Sequence, residues 1–257
     1  MKILGISCLY HDSAAVLMVD GEVIAAVQEE RFTRKKHDSS FPINSIEWIL
    51  EKFDLRINQF DCISYYEDPK LKFRRIVYSH SLSWPNSFRD FCKQFSSQDI
   101  KINIKKIIRE QLGYVGEIFI CKHHSSHAAS AFFPSPFKEA AILTIDGVGE
   151  FESTTLGIGK ENNIKQICSL NFPHSLGLLY SSFTYYCGFK INSGEYKLMG
   201  LAPYGNAIYQ KKIKDKLIDI KSDGSFRLNM KYFGHLMGVS CITQEFIDLF
   251  ERDRRNP

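Results

Sequence analysis

The residues best suited to chemistry stand together in Lys122-His123-His124-Ser125-Ser126-His127. This segment follows a stretch that reads as a strand and opens one that reads as a helix. His123 and His127, four apart, therefore fall on one helical face. At a helix N-terminus the positive end of the dipole disfavours imidazolium, which leaves a ring lone pair available to a metal. The nearest carboxylate expected at a strand end is Asp146, and in a parallel α/β sheet the side chains at the carboxyl ends of strands converge on one crevice. Two imidazoles and a carboxylate suit Fe(II), Mn(II) or Zn(II). On spacing alone a helical H-x-x-x-H is more often structural than metal-binding; with Asp146 and the Gly-rich turn added, the two readings balance.

Three further segments carry residues of interest. In Asp146-Gly147-Val148-Gly149-Glu150, Gly147 and Gly149 allow close backbone approach, so their N–H groups could hold a phosphate; a tight turn ending a strand is the other reading. The run matches neither a Walker loop nor G-x-G-x-x-G. Residues 188–205 read as a loop in which Gly194, Glu195 and Lys197 could serve a ligand, or as a plain connector. The turn Tyr10-His11-Asp12-Ser13 could face a phosphate or be simple turn chemistry.

Positioning these residues requires an ordered α/β framework. Lys2–Ser7, Ala14–Val19 and Glu22–Gln28 read as strands, the last two joined by the hairpin signal Asp20-Gly21. A helix is predicted over Ile43–Lys52 after Pro42, a short strand over Asp61–Tyr66, and an amphipathic helix over Ile100–Leu112. The aromatic, basic stretch Lys70–Phe95, with Arg74, Arg75 and Arg89, reads as irregular: a packed surface insertion or a substrate contact. Next come a strand at Glu117–Cys121, a helix at Ser125–Phe133 and a strand at Ala140–Ile145. A hairpin is predicted from Ser153–Gly159 and Ile164–Leu170, with helices at Leu176–Tyr186, from the loop's end to about Asp219, and at Thr243–Arg252. A lobe boundary falls at Pro134–Lys138.

Composition narrows the class. With 44% hydrophobic and 24% charged residues the 257-residue chain is ordinary globular protein rather than disordered. The net charge of +4 comes from 33 basic and 29 acidic residues dispersed along the chain, which points away from nucleic acid. No stretch approaches the roughly 18 apolar residues of a membrane helix, and the first residues lack the apolar run of a signal peptide, so a cytoplasmic protein without a membrane partner is expected. The seven cysteines include no C-x-x-C pair and read mostly as reduced structural thiols.

Taken in order, these segments resemble the NodU/CmcH family of O-carbamoyltransferases. The matching residues are Leu4-Gly5-Ile6 with Tyr10-His11-Asp12-Ser13-Ala14-Ala15; Gln28 through Asp38; His123 through Phe132; Asp146 through Glu150; and Gly194 through Gly205. The resemblance covers about residues 1 to 205. It implies an α/β fold of the actin-like ATPase (ribonuclease H-like) type, with two lobes enclosing nucleotide and metal. Residues 1–135 would form the first lobe and 136–257 the start of an incomplete second. It places metal ligands at His123, His127 and Asp146, with Fe(II) or another divalent ion. A fourth ligand, a later aspartate in the family, and a C-terminal YrdC-like domain would be absent. The family's donor is carbamoyl phosphate, activated with ATP to carbamoyladenylate, and its acceptor is a hydroxyl of a small molecule such as a sugar or aminoglycoside. By family position His11 or Asp12 would take the acceptor's proton. The missing remainder of the enzyme, or a second copy, is the expected protein partner. The chain alone is expected to be inactive and to expose apolar surface. Two other classes stay open: a nucleotide-binding module without catalysis, and a metal-dependent hydrolase using the same three ligands.

Overall fold

The computed structural model describes residues 1–82, 84–85, 87–88, 91–92, 102–236 and 240–256. The chain forms two compact units, one from Met1–Lys70 with Ser96–Ser126 and the other from Leu71–Phe95 with His127–Pro257. The mixed α/β class expected from the sequence is the one observed.

Unit one is built on a mixed five-stranded sheet. Its strands are β1 (Lys2–Ser7), β2 (Ala14–Val19), β3 (Glu22–Gln28), β4 (Cys62–Tyr65) and β5 (Glu117–Ile120), in the order β3-β2-β1-β4-β5. The first three form an antiparallel meander, and β4 and β5 continue it in parallel from β1. Asp20 and Gly21, at φ 51° and 90°, make the β2–β3 turn, which is why glycine is needed there. Period-two alternation buries Leu4, Ile6, Ala15 and Leu17, and β4 adds Ile63 and Tyr65 to the same core. Two helices bring Ile46, Ile49, Ile104 and Ile108 into it: α2 (Ile43–Lys52), which follows the one-turn α1 (Glu30–Thr33), and α4 (Ile104–Leu112). Glu29, 1% exposed, accepts from the backbone and side-chain donors of Asn44 and Ser45, and so fixes the start of α2.

Unit two carries an antiparallel sheet of β6 (Glu139–Ile145), β7 (Glu152–Lys160) and β8 (Asn163–Asn171). Leu143, Ile145, Leu156 and Ile158 are exposed on it. A separate aromatic core gathers Phe233, Phe246 and Phe250 with Phe183 and Tyr186. Most of these rings meet edge-on at 5 to 6 Å, the geometry favoured by the ring quadrupole. The chain reaches it through α6 (Leu176–Tyr186), α7 (Glu195–Leu201), α8 (Gln210–Lys216), the hairpin β9 (Ile218–Ile220) and β10 (Phe226–Leu228), and α9 (Gln244–Phe250).

Three expectations need correction. The stretch predicted as irregular opens with helix α3 (Pro69–Leu82). Its buried positions Pro69, Lys72, Ile76, Ser79 and His80 recur at helical spacing, but three of the five are polar, so no apolar stripe marks the helix in the sequence. Arg89 and parts of the predicted stretch, like residues 100–101 of the predicted amphipathic helix, lie outside the described residues. The predicted loop 188–205 contains α7 and a 3₁₀ turn over Ala202–Tyr204; Gly194 and Gly205 sit at element ends, where glycine is tolerated. The helix predicted to reach about Asp219 stops at Lys216, because Ile218 and Ile220 pair with Leu228 and Phe226 in the β9–β10 ladder. Among the described residues no helix is long and apolar enough to cross a membrane.

His235 stacks on Phe233 at 5.5 Å in this second core, and burial holds its imidazole down to about 4. The unfolded chain binds that proton at the ordinary value of 6.5, so its contribution is complete above pH 6.5 and is lost as pH falls toward 4. The loss amounts to about 3 kcal/mol at most. Urea denaturation at pH 7 and pH 4.5 should show His235→Phe losing less stability than the parent; equal losses in the two proteins would contradict this.

Candidate metal centre

Helix α5 (His123–Phe132) begins two residues before its predicted start. Its C-terminal half is anchored in unit two by Ala128 and Phe132, which are buried with Ile142 of β6. The boundary between the units falls inside this helix, after Ser126. The helix is unbroken, so the one-turn spacing of His123 and His127 is set by the helix itself.

Asp146 directly follows β6, and its position is over-determined. Its N–H donates to the Ser153 carbonyl at 2.9 Å, and its own Oδ1 accepts from the Gly147 N–H at 2.6 Å. Its carbonyl accepts from the Ser175 hydroxyl at 2.9 Å. That hydroxyl, fully buried, also accepts from the Leu178 N–H and thereby caps α6. The Asp146 Oδ2 oxygen is turned toward α5, 3.8 Å from His127 Nε2. Each of His123, His127 and Asp146 offers a ligand atom within 4.8 Å of the others. Ligands bound at about 2.1 Å stand at most about 4.2 Å apart. The trio would close by a few tenths of an ångström around a cation, so the donor set fits a divalent ion in both type and reach.

The structure also places residues that the sequence reading did not single out. Glu67, 1% exposed, sets its Oε2 3.7 Å from His123 Nδ1, within ion-pair reach but beyond a hydrogen bond. Burial, and then the Glu67 charge, push the neighbouring Tyr66 phenol far up, so it stays a neutral hydroxyl.

The remaining candidates are placed as follows. Gly147 and Gly149 form the turn after β6, and both amides are engaged within it, the second donating to the Glu152 carbonyl. A phosphate there would compete with those two bonds. Gly194 is the N-cap of α7, and Lys197 is exposed on that helix. Glu195 accepts from the Ser181 hydroxyl and from the N–H groups of Asn192 and Gly194. Burial raises its carboxyl, but those hydrogen bonds outweigh burial and leave it below its ordinary range. Ile191, ahead of α7, and Val148, beside Asp146, line the same cavity of about 390 Å³ in unit two, with Arg75, Phe172, His235 and Cys241 also on its wall. His11 and Asp12 lie in unit one, on the β1–β2 turn, with His11 Nδ1 2.8 Å from Asp12 Oδ2.

Fold and side chains together define a mixed α/β protein with a convergent His–His–carboxylate cluster on one helix and one strand end. The chain belongs to the family described as carbamoyltransferase N-terminus, whose model matches residues 2–256. Over 264 residues it is 49% identical to the uncharacterized protein sll1178 of Synechocystis, an alignment that takes in 99% of this chain and 43% of that protein. It is 35% identical over 231 residues to the nodulation protein NolNO of Sinorhizobium fredii, across 87% of this chain and 32% of that one. The chain therefore spans less than half the length of either relative. Among solved structures, a Pseudomonas aeruginosa protein with similarity to peptidase YeaZ aligns with a TM-score of 0.38 at 10% identity, over 66% of each chain. That likeness is too loose to bear on function.

The Asp146 turn leaves no room beside it. A Cβ on Gly177 would stand 2.6 Å from the Asp146 carbonyl oxygen and 2.7 Å from the Gly147 nitrogen. Gly177→Ala should therefore cost about 1–3 kcal/mol in chemical denaturation. Gly200→Ala, into open space within α7, should stabilise by up to about 1 kcal/mol. A Gly177→Ala protein as stable as the parent would contradict the packing described.

Proposed function

We propose that the chain supplies the transferring part of an O-carbamoyltransferase. In this reading, carbamoyl phosphate and ATP furnish a carbamoyladenylate, made in a YrdC-like domain. Its carbamoyl group passes to a hydroxyl of a sugar, an aminoglycoside or a similar small molecule. The observation that supports it is the convergence of His123, His127 and Asp146 in a member of the carbamoyltransferase family.

Each residue has a defined task. His123, His127 and Asp146 would hold a divalent cation such as Fe(II), which supplies Lewis-acid stabilisation of negative charge that develops on phosphate or carbonyl oxygens during acyl transfer. Glu67 sets a carboxylate 3.7 Å from the His123 ring, and Ser175 keeps the Asp146 carboxylate in place through the backbone. At the β1–β2 turn, Asp12 accepts the Nδ1 proton of His11, which leaves the His11 Nε2 lone pair free to take the proton of the acceptor hydroxyl. The acceptor oxygen then bonds to the carbamoyl carbon as the bond to the adenylate phosphate oxygen breaks and AMP leaves. Within unit two, the cavity lined by Val148 and Ile191 has room for a small molecule, and Lys197, exposed on α7, would serve an anionic group of donor or nucleotide.

Metal analysis after loading with Mn(II) should show at least about tenfold lower occupancy in His127→Ala than in the parent. In the complete enzyme that contains this chain, Asp146→Asn should keep the parent's melting temperature and lose transfer from carbamoyl phosphate, with ATP, to a panel of hydroxylated acceptors. Unchanged occupancy in His127→Ala would remove the cation from the account. Loss of stability in parallel with activity in Asp146→Asn would reduce the aspartate to a structural part.

A further inference from the structure

In unit one the turn that carries His11 is strapped to residues 37–39. The Leu9 N–H donates to the Ser39 carbonyl at 2.9 Å and the Ser13 N–H to the Asp38 carbonyl at 2.8 Å. Three non-glycine residues in these two segments adopt the left-handed region, Leu9 at φ 68°, Asp12 at 50° and His37 at 58°. Each such residue costs on the order of 1 kcal/mol and persists only where its surroundings over-determine it.

Two of the three meet in one hydrogen bond. Asp12 Oδ1 lies 3.0 Å from His37 Nδ1, while Asp12 Oδ2 lies 2.8 Å from His11 Nδ1, so each histidine has one carboxylate oxygen. His37 Nε2 is buried with no partner among the described residues, which places the proton of the neutral ring on Nδ1, facing Asp12. Burial raises the Asp12 carboxyl, but the hydrogen bonds from His37 and then His11 outweigh it and hold the group below its ordinary value. The other charged groups at His37 are Glu30, whose Oε2 accepts the His37 N–H at 3.0 Å, Arg31 paired to Glu30, and Lys35 paired to Asp38. The Tyr10 ring packs on His11 at 4.5 Å.

We propose that His37 is a positioning residue for His11: its Nδ1–H fixes the plane of the Asp12 carboxylate so that Oδ2 holds the His11 Nδ1 proton and the His11 Nε2 lone pair faces outward. The proposal rests on the reading of His11 as the base. Without His37 the carboxylate can rotate, and His11 then samples the tautomer whose outer nitrogen already carries a proton and cannot accept another. His37 touches no substrate in this scheme.

The test is the tautomeric state of His11, read from ¹⁵N spectra of histidine-labelled protein at alkaline pH. The parent should show both His11 and His37 as Nδ1–H tautomers. His37→Leu should move His11 toward the Nε2–H form. His37→Asn, whose amide N–H takes the place of Nδ1–H, should leave His11 as in the parent. His11 found as Nε2–H in the parent, or unmoved in a folded His37→Leu protein, would overturn the proposal. If His37→Leu does not fold, the parent and His37→Asn decide alone: His11 as Nε2–H in either sinks the idea. In the transfer assay His37→Leu should lower kcat about tenfold, and His37→Asn should restore it. Parent-level transfer by His11→Ala would instead remove the base itself, an outcome distinguishable from lost coupling because the tautomers of the parent would be unaffected.

Discussion

The Ser175 hydroxyl carries more of this structure than its size suggests. One oxygen, buried completely, donates to the Asp146 carbonyl and accepts from the first turn of α6. A helix start and a strand end are thereby fixed to each other, and Gly177 lets the two backbones come close enough for that bond to form. With its carbonyl held there and its Oδ1 accepting from the next amide, Asp146 sets its Oδ2 3.8 Å from His127 Nε2. Preorganisation of this kind is what makes a ligand set useful, because the cost of ordering it is met in folding rather than at the moment of binding.

Unit one uses a different device to a similar end. Its turn between β1 and β2 holds backbone conformations that non-glycine residues avoid, and the neighbouring 37–39 segment braces it. The carboxylate at the centre shares its two oxygens between two imidazoles. Strain concentrated where side chains of acid–base type converge is the signature expected of a functional turn rather than a simple connection. The nearby Glu29 shows the contrast: its carboxylate is wholly engaged in holding the start of α2, and nothing is left over for chemistry.

Much of this was legible in the sequence, and the failures have physical reasons. β1 to β3, α2 and α6 were readable to the residue, because their alternation, hairpin turn and helical periodicity are local signals. Helix α3 was hidden, since its buried face sets Lys72, Ser79 and His80 around Ile76 and so carries no apolar stripe. Glycine content disguises α7, and the short β9 reads as the end of a helix because only its pairing with β10 makes it a strand. At the centre, His123 and His127 follow from helical spacing, whereas Asp146 does end a strand, but one in an antiparallel sheet, so the parallel-sheet rule that singles it out does not apply there. The groups packed beside them were out of reach: Glu67 lies 56 residues before His123, and Ser175 lies 29 residues after Asp146. No local pattern links such pairs, which only tertiary packing brings together.

The central claim is that α5 and the end of β6 present two imidazoles and one carboxylate to a single divalent ion. Electron spin-echo modulation of the Mn(II)-loaded chain measures this most directly, because it detects nitrogen nuclei bound to the metal. The account predicts modulation from two imidazole nitrogens in the parent, reduced to one in His123→Ala. Bound Mn(II) without imidazole modulation, or with modulation that survives removal of both His123 and His127, would contradict it.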